Sequence, residues 1–108
     1  MTDDRRSHKR VPAVIDVVWE GASGGHEART SDLSTAGCFI DTIGQATPGE
    51  TIKFKLCLPA GQLVLKGEVV FADPPTGFGV RFTAIPPSDQ KQLEWLIKAA
   101  AYRAEKSE

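Results

Sequence analysis

Two short polar clusters in this sequence carry side chains that can recognise a phosphate group and a purine base. The first cluster reads RRSHKR over residues 5–10, and its guanidinium forks match both a phosphate and the O6/N7 edge of guanine. The second reads DLSTAG over residues 32–37. It offers a carboxylate and a hydroxyl that can bond guanine N–H groups or a phosphate oxygen, and a glycine that permits close backbone approach. Together the clusters predict a binding site for a small guanine nucleotide.

Each cluster alone has a simpler structural explanation. A run of charges is usually a solvated surface segment. Asp and Ser commonly start turns by bonding nearby backbone groups, and Gly often follows them with a positive φ. A turn does not require an arginine cluster ahead of it, however, whereas a nucleotide site uses both clusters. For Asp32 and Ser34 we therefore favour a role in binding.

The spacing RRxxxR followed by DxSxxG resembles the PilZ domain, the bacterial family that binds cyclic di-GMP. Both motifs are complete, and GVRF at residues 79–82 looks like the closing strand of the family. The resemblance implies a receptor of the single-domain type whose ligand contacts fall on the signature positions of both motifs. These positions are Arg5, Arg6, Arg10, Asp32, Ser34 and Gly37.

The resemblance also implies a role for each signature residue. The three arginines bond phosphate or guanine O6/N7 and stack on the bases. Asp32 accepts from guanine N1–H and N2–H₂, Ser34 bonds a base or a phosphate, and Gly37 keeps a Cβ out of the way. In the family, an arginine directly ahead of the RxxxR core accompanies two intercalated ligand molecules. Arg5 holds that position, so we expect two molecules of cyclic di-GMP.

Two further residues are weaker candidates for ligand binding. Phe71 follows two valines near the end of a strand, where an exposed ring can stack on guanine, although an aromatic residue in a strand is more often core. Arg81 lies between Val80 and Phe82. Strand alternation therefore directs it to the outside of a barrel.

The elements that must position these residues follow from apolar periodicity. Apolar patterning and the turns between runs predict six short strands over residues 13–20, 26–31, 37–40, 51–58, 62–72 and 78–83, of which 26–31 is more polar and 37–40 is a short apolar run. The run 51–58 has the clearest alternation, and Gly67 within the following run predicts a bulge or bend. Short strands at regular spacing favour an all-β fold, a six-stranded antiparallel barrel.

A change to helical period after Pro86-Pro87 predicts a C-terminal helix with Ser88 as its N-cap. Trp19 and Trp95 are expected to pack between barrel and helix, with Trp95 partly exposed because it lies one position off the apolar stripe. The predicted PilZ-like domain thus consists of a flexible polar arm over residues 1–12, a barrel over 13–84 and a helix over 85–108.

Composition is that of one globular domain, with 41% hydrophobic and 25% charged residues in 108. No apolar run is long enough to span a bilayer and the N-terminus is polar, so a cytoplasmic protein is expected. Cys38 and Cys57 are expected to be buried free thiols. No metal site is predicted, because His8 and His26 lie far apart and neither cysteine has a partner at ligand spacing.

These observations favour a non-catalytic cyclic di-GMP receptor that orders its arm on binding and signals to another protein. An enzyme is not expected, because no catalytic triad, paired carboxylates or phosphate-cradling glycine loop is present. A second possibility is a small barrel that binds nucleic acid, although a net charge of −1 argues against it. A third is a PilZ-like adaptor that has lost its ligand. Beyond the nucleotide, no cofactor is expected.

Overall fold

The computed structural model describes residues 10–59 and 61–106, and the side chains of these residues up to Arg103. Seven strands and one helix follow one another along the chain. They are β1 (Val11–Pro12), β2 (Asp16–Gly21), β3 (Gly24–Leu33), β4 (Gly37–Asp41), β5 (Thr51–Leu58), β6 (Gly61–Asp73), β7 (Gly77–Ala84) and α1 (Pro87–Lys106).

Six of the strands close into an antiparallel barrel. The strand order is β3-β2-β5-β6-β7-β4, and β4 pairs back with β3 to complete the ring. Because the barrel is closed, each of these six strands pairs with a neighbouring strand on both sides. The predicted fold class, a six-stranded antiparallel barrel with a C-terminal helix, is therefore confirmed.

The barrel interior is filled by the alternate residues of its strands. In β5, for example, Ile52, Phe54 and Leu56 are buried while the lysines between them are exposed. Burying such a side chain contributes about 1.5–3 kcal/mol. The bounds predicted for this strand are those observed, because its two-residue period is regular from end to end.

Local irregularities bend the strands where the barrel turns. The pairing of β6 with β7 shifts register at Gly67, as predicted, and a Cβ at Gly67 would lie 2.9 Å from the Arg81 carbonyl oxygen. A second shift falls between Val69 and Phe71. A third falls in β3 between Thr30 and Asp32, directly before the residues that pair with β1.

Strand β1 attaches the chain entering the barrel to β3. Val11 pairs with Leu33 and Pro12 with Asp32, and Val11 is buried. Both residues belong to the arm predicted over residues 1–12, so the described end of that arm is held against the barrel. The rest of the predicted arm, residues 1–9, lies outside the described residues.

Helix α1 begins two residues earlier than an N-cap at Ser88 would require. The amide of Gln90 donates to the carbonyl of Pro86 at 2.9 Å, so Pro86 is the N-cap and Pro87 the first helical residue. The prediction of Ser88 as N-cap is wrong because proline suits the first helical position: it has no N–H to leave unpaired and its φ is already helical. Asp89 lies in the first turn, as predicted.

The helix packs along β1 and inserts Leu93 fully into the core. Trp19 is also buried, and its ring stacks on His26 with centroids 4.4 Å apart and meets Phe78 edge-on at 4.9 Å, so these ring contacts lie within the barrel. Trp95 is 69% exposed and borders a groove between α1 and residues 12–16. Within the described part of the chain, α1 included, no helix has the length and apolar character that a bilayer crossing requires.

Candidate functional site

The DLSTAG motif forms the tight connection between β3 and β4, and the side chain of Ser34 holds it closed. The Ser34 hydroxyl is buried and accepts from the amides of Ala36 and Gly37, each at 3.1 Å. It donates to the Gly37 carbonyl at 3.3 Å, which also accepts from the Ser34 amide at 2.8 Å. Ser34 therefore acts on the conformation of the turn, the structural role that its sequence context also allowed.

Replacing Ser34 with Ala is expected to lower the free energy of unfolding by about 2 kcal/mol. The substitution leaves the buried amide of Gly37 without this acceptor, which costs about 1–3 kcal/mol, and removes a second bond from the half-buried amide of Ala36. Urea unfolding followed by circular dichroism measures the change. Replacing Ser23, whose hydroxyl bonds lie at an exposed loop, is the matched control, and equal losses in both variants would contradict this role for Ser34.

Gly37 is buried at the start of β4, where it pairs with Arg81 of β7. A Cβ at this position would collide with the carbonyl oxygen of Val80 and lie 3.2 Å from the Cα of Arg81. The φ of Gly37 is not positive. The close approach that this glycine permits in the described chain is therefore between two strands of the barrel.

The two sequence motifs meet at Arg10 and Asp32. The guanidinium Nη1 of Arg10 donates to Oδ1 of Asp32 at 2.6 Å, and the two side chains are 48% and 32% exposed. The contact follows from β1, because pairing of Pro12 with Asp32 brings the preceding arginine to the end of β3. Arg5 and Arg6 lie outside the described residues. The described part of the first motif thus reaches the acid of the second.

The register of the barrel extends this contact across its outer surface. Asp32 of β3 pairs with Phe39 of β4, Phe39 pairs with Gly79 of β7, and Gly79 pairs with Phe71 of β6. Phe71 is 46% exposed and its ring centroid lies 5.7 Å from that of Phe39. We call these four aligned residues the outer row.

Arg81 lies beside the outer row on the same face. It pairs with Gly37 on one side and Glu68 on the other, and its guanidinium forms an ion pair with the Glu68 carboxylate. Its side chain is 57% exposed, which confirms the prediction that it points away from the core. Phe71 and Arg81, the two weaker candidates, therefore share one face with Asp32.

Phe39 is the residue of this face that the sequence prediction missed. The short apolar run Cys38–Ile40 gives no sign of which residue points outward. Alternation with the polar Asp41 was the available signal, since it places Phe39 and Asp41 on the same side of the strand.

The thiol of Cys38, which is buried in β4 next to Gly37, is unreactive. Burial raises the pKa of Cys38 to about 12, the nearby Asp32 carboxylate acts in the same direction, and Arg10 opposes it. The thiol is therefore protonated at neutral pH and is a poor nucleophile or metal ligand. Both cysteines are free, as predicted, but Cys57 is only half-buried.

Among the described residues, no cluster of His, Cys, Asp or Glu has the arrangement of a metal site.

Comparison with known proteins identifies a family to which this chain is similar. The PilZ domain matches residues 4–99 of the chain. The structure of the Bacillus subtilis inhibitor of motility, MotI/DgrA, superposes with a TM-score of 0.75 at 21% identity, covering 98% of this chain and 55% of that one. The PilZ domain of Escherichia coli YcgR, solved with cyclic di-GMP, superposes with a TM-score of 0.73 at 17% identity, covering 96% and 97%.

A third similar structure is that of K. pneumonia MrkH in its apo state, with a TM-score of 0.74 at 16% identity, covering 100% of this chain and 55% of that one. The chain thus spans about half the length of MotI/DgrA and of MrkH. At these identities the likeness is one of fold. Comparison with curated proteins gives no match. Because the family match extends over residues 4–99 and both signature motifs are complete, the chain belongs to the PilZ domain family.

Proposed function

We propose that this domain is a cytoplasmic, non-catalytic receptor for cyclic di-GMP, which it binds on the outer face of β3, β4 and β7. Family membership supports the ligand, as does the fold shared with the YcgR PilZ domain solved with cyclic di-GMP. The observation that carries the proposal is the 2.6 Å contact between Arg10 and Asp32. It joins two motifs that have no structural need of each other, at a partly exposed position where both can meet a ligand.

Asp32 and Arg10 carry opposite charges and are therefore proposed to bind different parts of the ligand. Asp32 accepts from N1–H and N2–H₂ of a guanine, a pair of donors that adenine lacks. Arg10, together with Arg5 and Arg6, binds the phosphates through paired N–H···O bonds. Arg81 lies on the same face and adds a fourth guanidinium once the ligand competes for it with Glu68. Ser34 and Gly37 contribute by fixing the turn that follows Asp32 at the end of β3.

Ligand binding is proposed to change the protein surface around β1, where the chain enters the barrel. The ligand neutralises the mutually repelling arginines and draws Arg5 and Arg6 onto the face beside β1. Because β1 contacts both β3 and α1, a ligand held there alters the surface formed by β1 and its surroundings. A partner protein reads that change.

Isothermal titration of the purified protein with cyclic di-GMP tests the proposal. We expect saturable binding of cyclic di-GMP, at a stoichiometry of two molecules per chain because of Arg5. No comparable binding is expected for cyclic di-AMP, because adenine lacks the adjacent N1–H and N2–H₂ donors that together fit the Asp32 carboxylate. Absence of saturable heat with cyclic di-GMP would refute the proposal. Salt-sensitive binding of a single-stranded oligonucleotide in its place would support a nucleic-acid-binding barrel.

Replacing Arg6 with Ala is expected to weaken cyclic di-GMP binding about 10-fold, since a charge-assisted hydrogen bond contributes about 1.5 kcal/mol or more. The titration is repeated with the Arg103→Ala variant, which removes the same charge from an exposed position of α1. Equal affinity of the Arg6→Ala protein and the wild type would exclude the first motif from the site.

A further inference from the structure

Two phenylalanines stand on the outer surface of the barrel where polar residues would be expected. Phe39 lies between Cys38 and Ile40, both fully buried, so its ring is on the opposite, outer side of β4 and is half-buried there. Phe71 is 46% exposed. Their centroids are 5.7 Å apart and their planes are inclined by 35°. The two rings therefore form one continuous aromatic surface.

Gly79 allows these rings to lie close to the backbone. It separates Phe39 from Phe71 in the outer row. A Cβ at Gly79 would lie 2.7 Å from Cζ and 2.9 Å from Cδ1 of Phe71. Covering a glycine with a cross-strand aromatic ring is a known way to stabilise a sheet. That role accounts for the contact of Phe71 with Gly79, but it leaves Phe71 46% exposed and Phe39 partly exposed.

The two rings lie close enough to Asp32 to contact a base that is bonded to its carboxylate. Adjacent strands lie about 5 Å apart, so the backbone of Phe39 is one strand spacing from that of Asp32. A guanine whose N1–H and N2–H₂ edge bonds Asp32 extends over the neighbouring strand, where it meets Phe39. Arg10 at one end of the row and Arg81 beside it supply positive charge at the margins of the aromatic surface.

We propose that Phe39 and Phe71 form a stacking platform for a guanine base of the ligand, with Phe39 as the principal contact. The inference rests on the proposed cyclic di-GMP receptor function and identifies how that site holds a base. Stacking on an aromatic side chain suits this task because a base presents a large flat face, and each base–aromatic contact changes affinity by about 10-fold or more.

Substitution of Phe39 by Leu tests the platform. Leucine keeps apolar contact with Phe71 and Gly79 but has no flat π face. We expect the Phe39→Leu variant to bind cyclic di-GMP about 10-fold more weakly, and the Phe39→Trp variant to bind it like the wild type. The control is Val64→Ala, which removes an exposed apolar side chain from β6, on the strand segment that pairs with β5. That control should retain full affinity.

A spectroscopic measurement separates stacking from a purely structural role. In the complex with the wild type, the guanine H8 resonance of cyclic di-GMP should shift upfield through the ring current of Phe39, and Phe39→Leu should abolish the shift. Phe71→Leu, at a position nearly half exposed, provides a second variant should Phe39→Leu unfold. If both Leu variants fold, bind like the wild type and keep the H8 shift, the platform is refuted while the receptor function stands. If the wild type binds no cyclic di-GMP, the receptor function fails and the platform with it.

Discussion

Replacing Asp32 with Asn is expected to weaken cyclic di-GMP binding about 100-fold, which corresponds to about 2.8 kcal/mol. The carboxylate presents acceptors to two guanine donors, whereas the amide replaces one acceptor with an N–H₂ group that faces a donor. Hydrogen bonds to charged groups contribute about 1.5–3 kcal/mol, and leaving a donor unpaired adds to the loss. Isothermal titration of both proteins with cyclic di-GMP gives the ratio of dissociation constants.

The matched control for this experiment is Asp16→Asn. Asp16 also forms an exposed ion pair, with Arg29 at 3.3 Å, but it lies on β2, outside the outer row. An exposed pair of this kind contributes about 1 kcal/mol or less to stability, so both variants should fold. Equal affinity of the Asp32→Asn and Asp16→Asn proteins would show that the carboxylate of the second motif does not contact the ligand.

Replacing Gly37 with Ala is expected to destabilise the barrel by about 3 kcal/mol, the upper part of the usual range for overpacking. The new Cβ collides with the carbonyl oxygen of Val80 and crowds its carbonyl carbon at 3.1 Å. Both are backbone atoms held in the β4–β7 pairing, so they cannot rotate away as a side chain would. The midpoint of urea unfolding measures the effect.

A glycine with open space around it serves as the comparison. At Gly25 in β3, the nearest atom to a new Cβ is Cγ of Glu20 at 3.9 Å, and φ is not positive. Gly25→Ala should therefore change the free energy of unfolding by about 0.5 kcal/mol or less. Similar midpoints for the two alanine variants would mean that β4 and β7 can move apart, contrary to the packing described here.

The fold was predictable where local pattern and tertiary environment agree. In β5 every second residue is apolar, three of these four are buried and the last, Leu58, is half-buried, so the period alone predicted the limits of the strand. Strand β1 has no such pattern. Its two residues become a strand only because Leu33 and Asp32 pair with them, and a partner distant in sequence leaves no local signal. The cap of α1 was misplaced for a related reason, since the usual preference for Ser competes with a proline that fits the first helical position.

The two motifs of the site could be predicted from the sequence, but the residues that surround them on the outer face of the barrel could be predicted only in part. The family membership implied by the two motifs is confirmed, and the contact of Arg10 with Asp32 shows that they converge. Ser34 and Gly37 have structural tasks that their residue types allow but do not distinguish from binding. Phe39 was overlooked because three consecutive apolar residues fit a buried strand equally well in either orientation, until the partners of β4 are known.

The ion pair between Arg10 and Asp32 has a consequence for selectivity among guanine compounds. A guanine that bonds both carboxylate oxygens competes with Arg10 for Oδ1 of Asp32, and breaking an exposed ion pair costs about 0.2–1 kcal/mol. A phosphorylated compound recovers that loss, because the released guanidinium then binds its phosphate. Guanosine has no phosphate to offer. The same two side chains would thus favour the charged messenger over the uncharged nucleoside, by about fivefold or less from this contact alone.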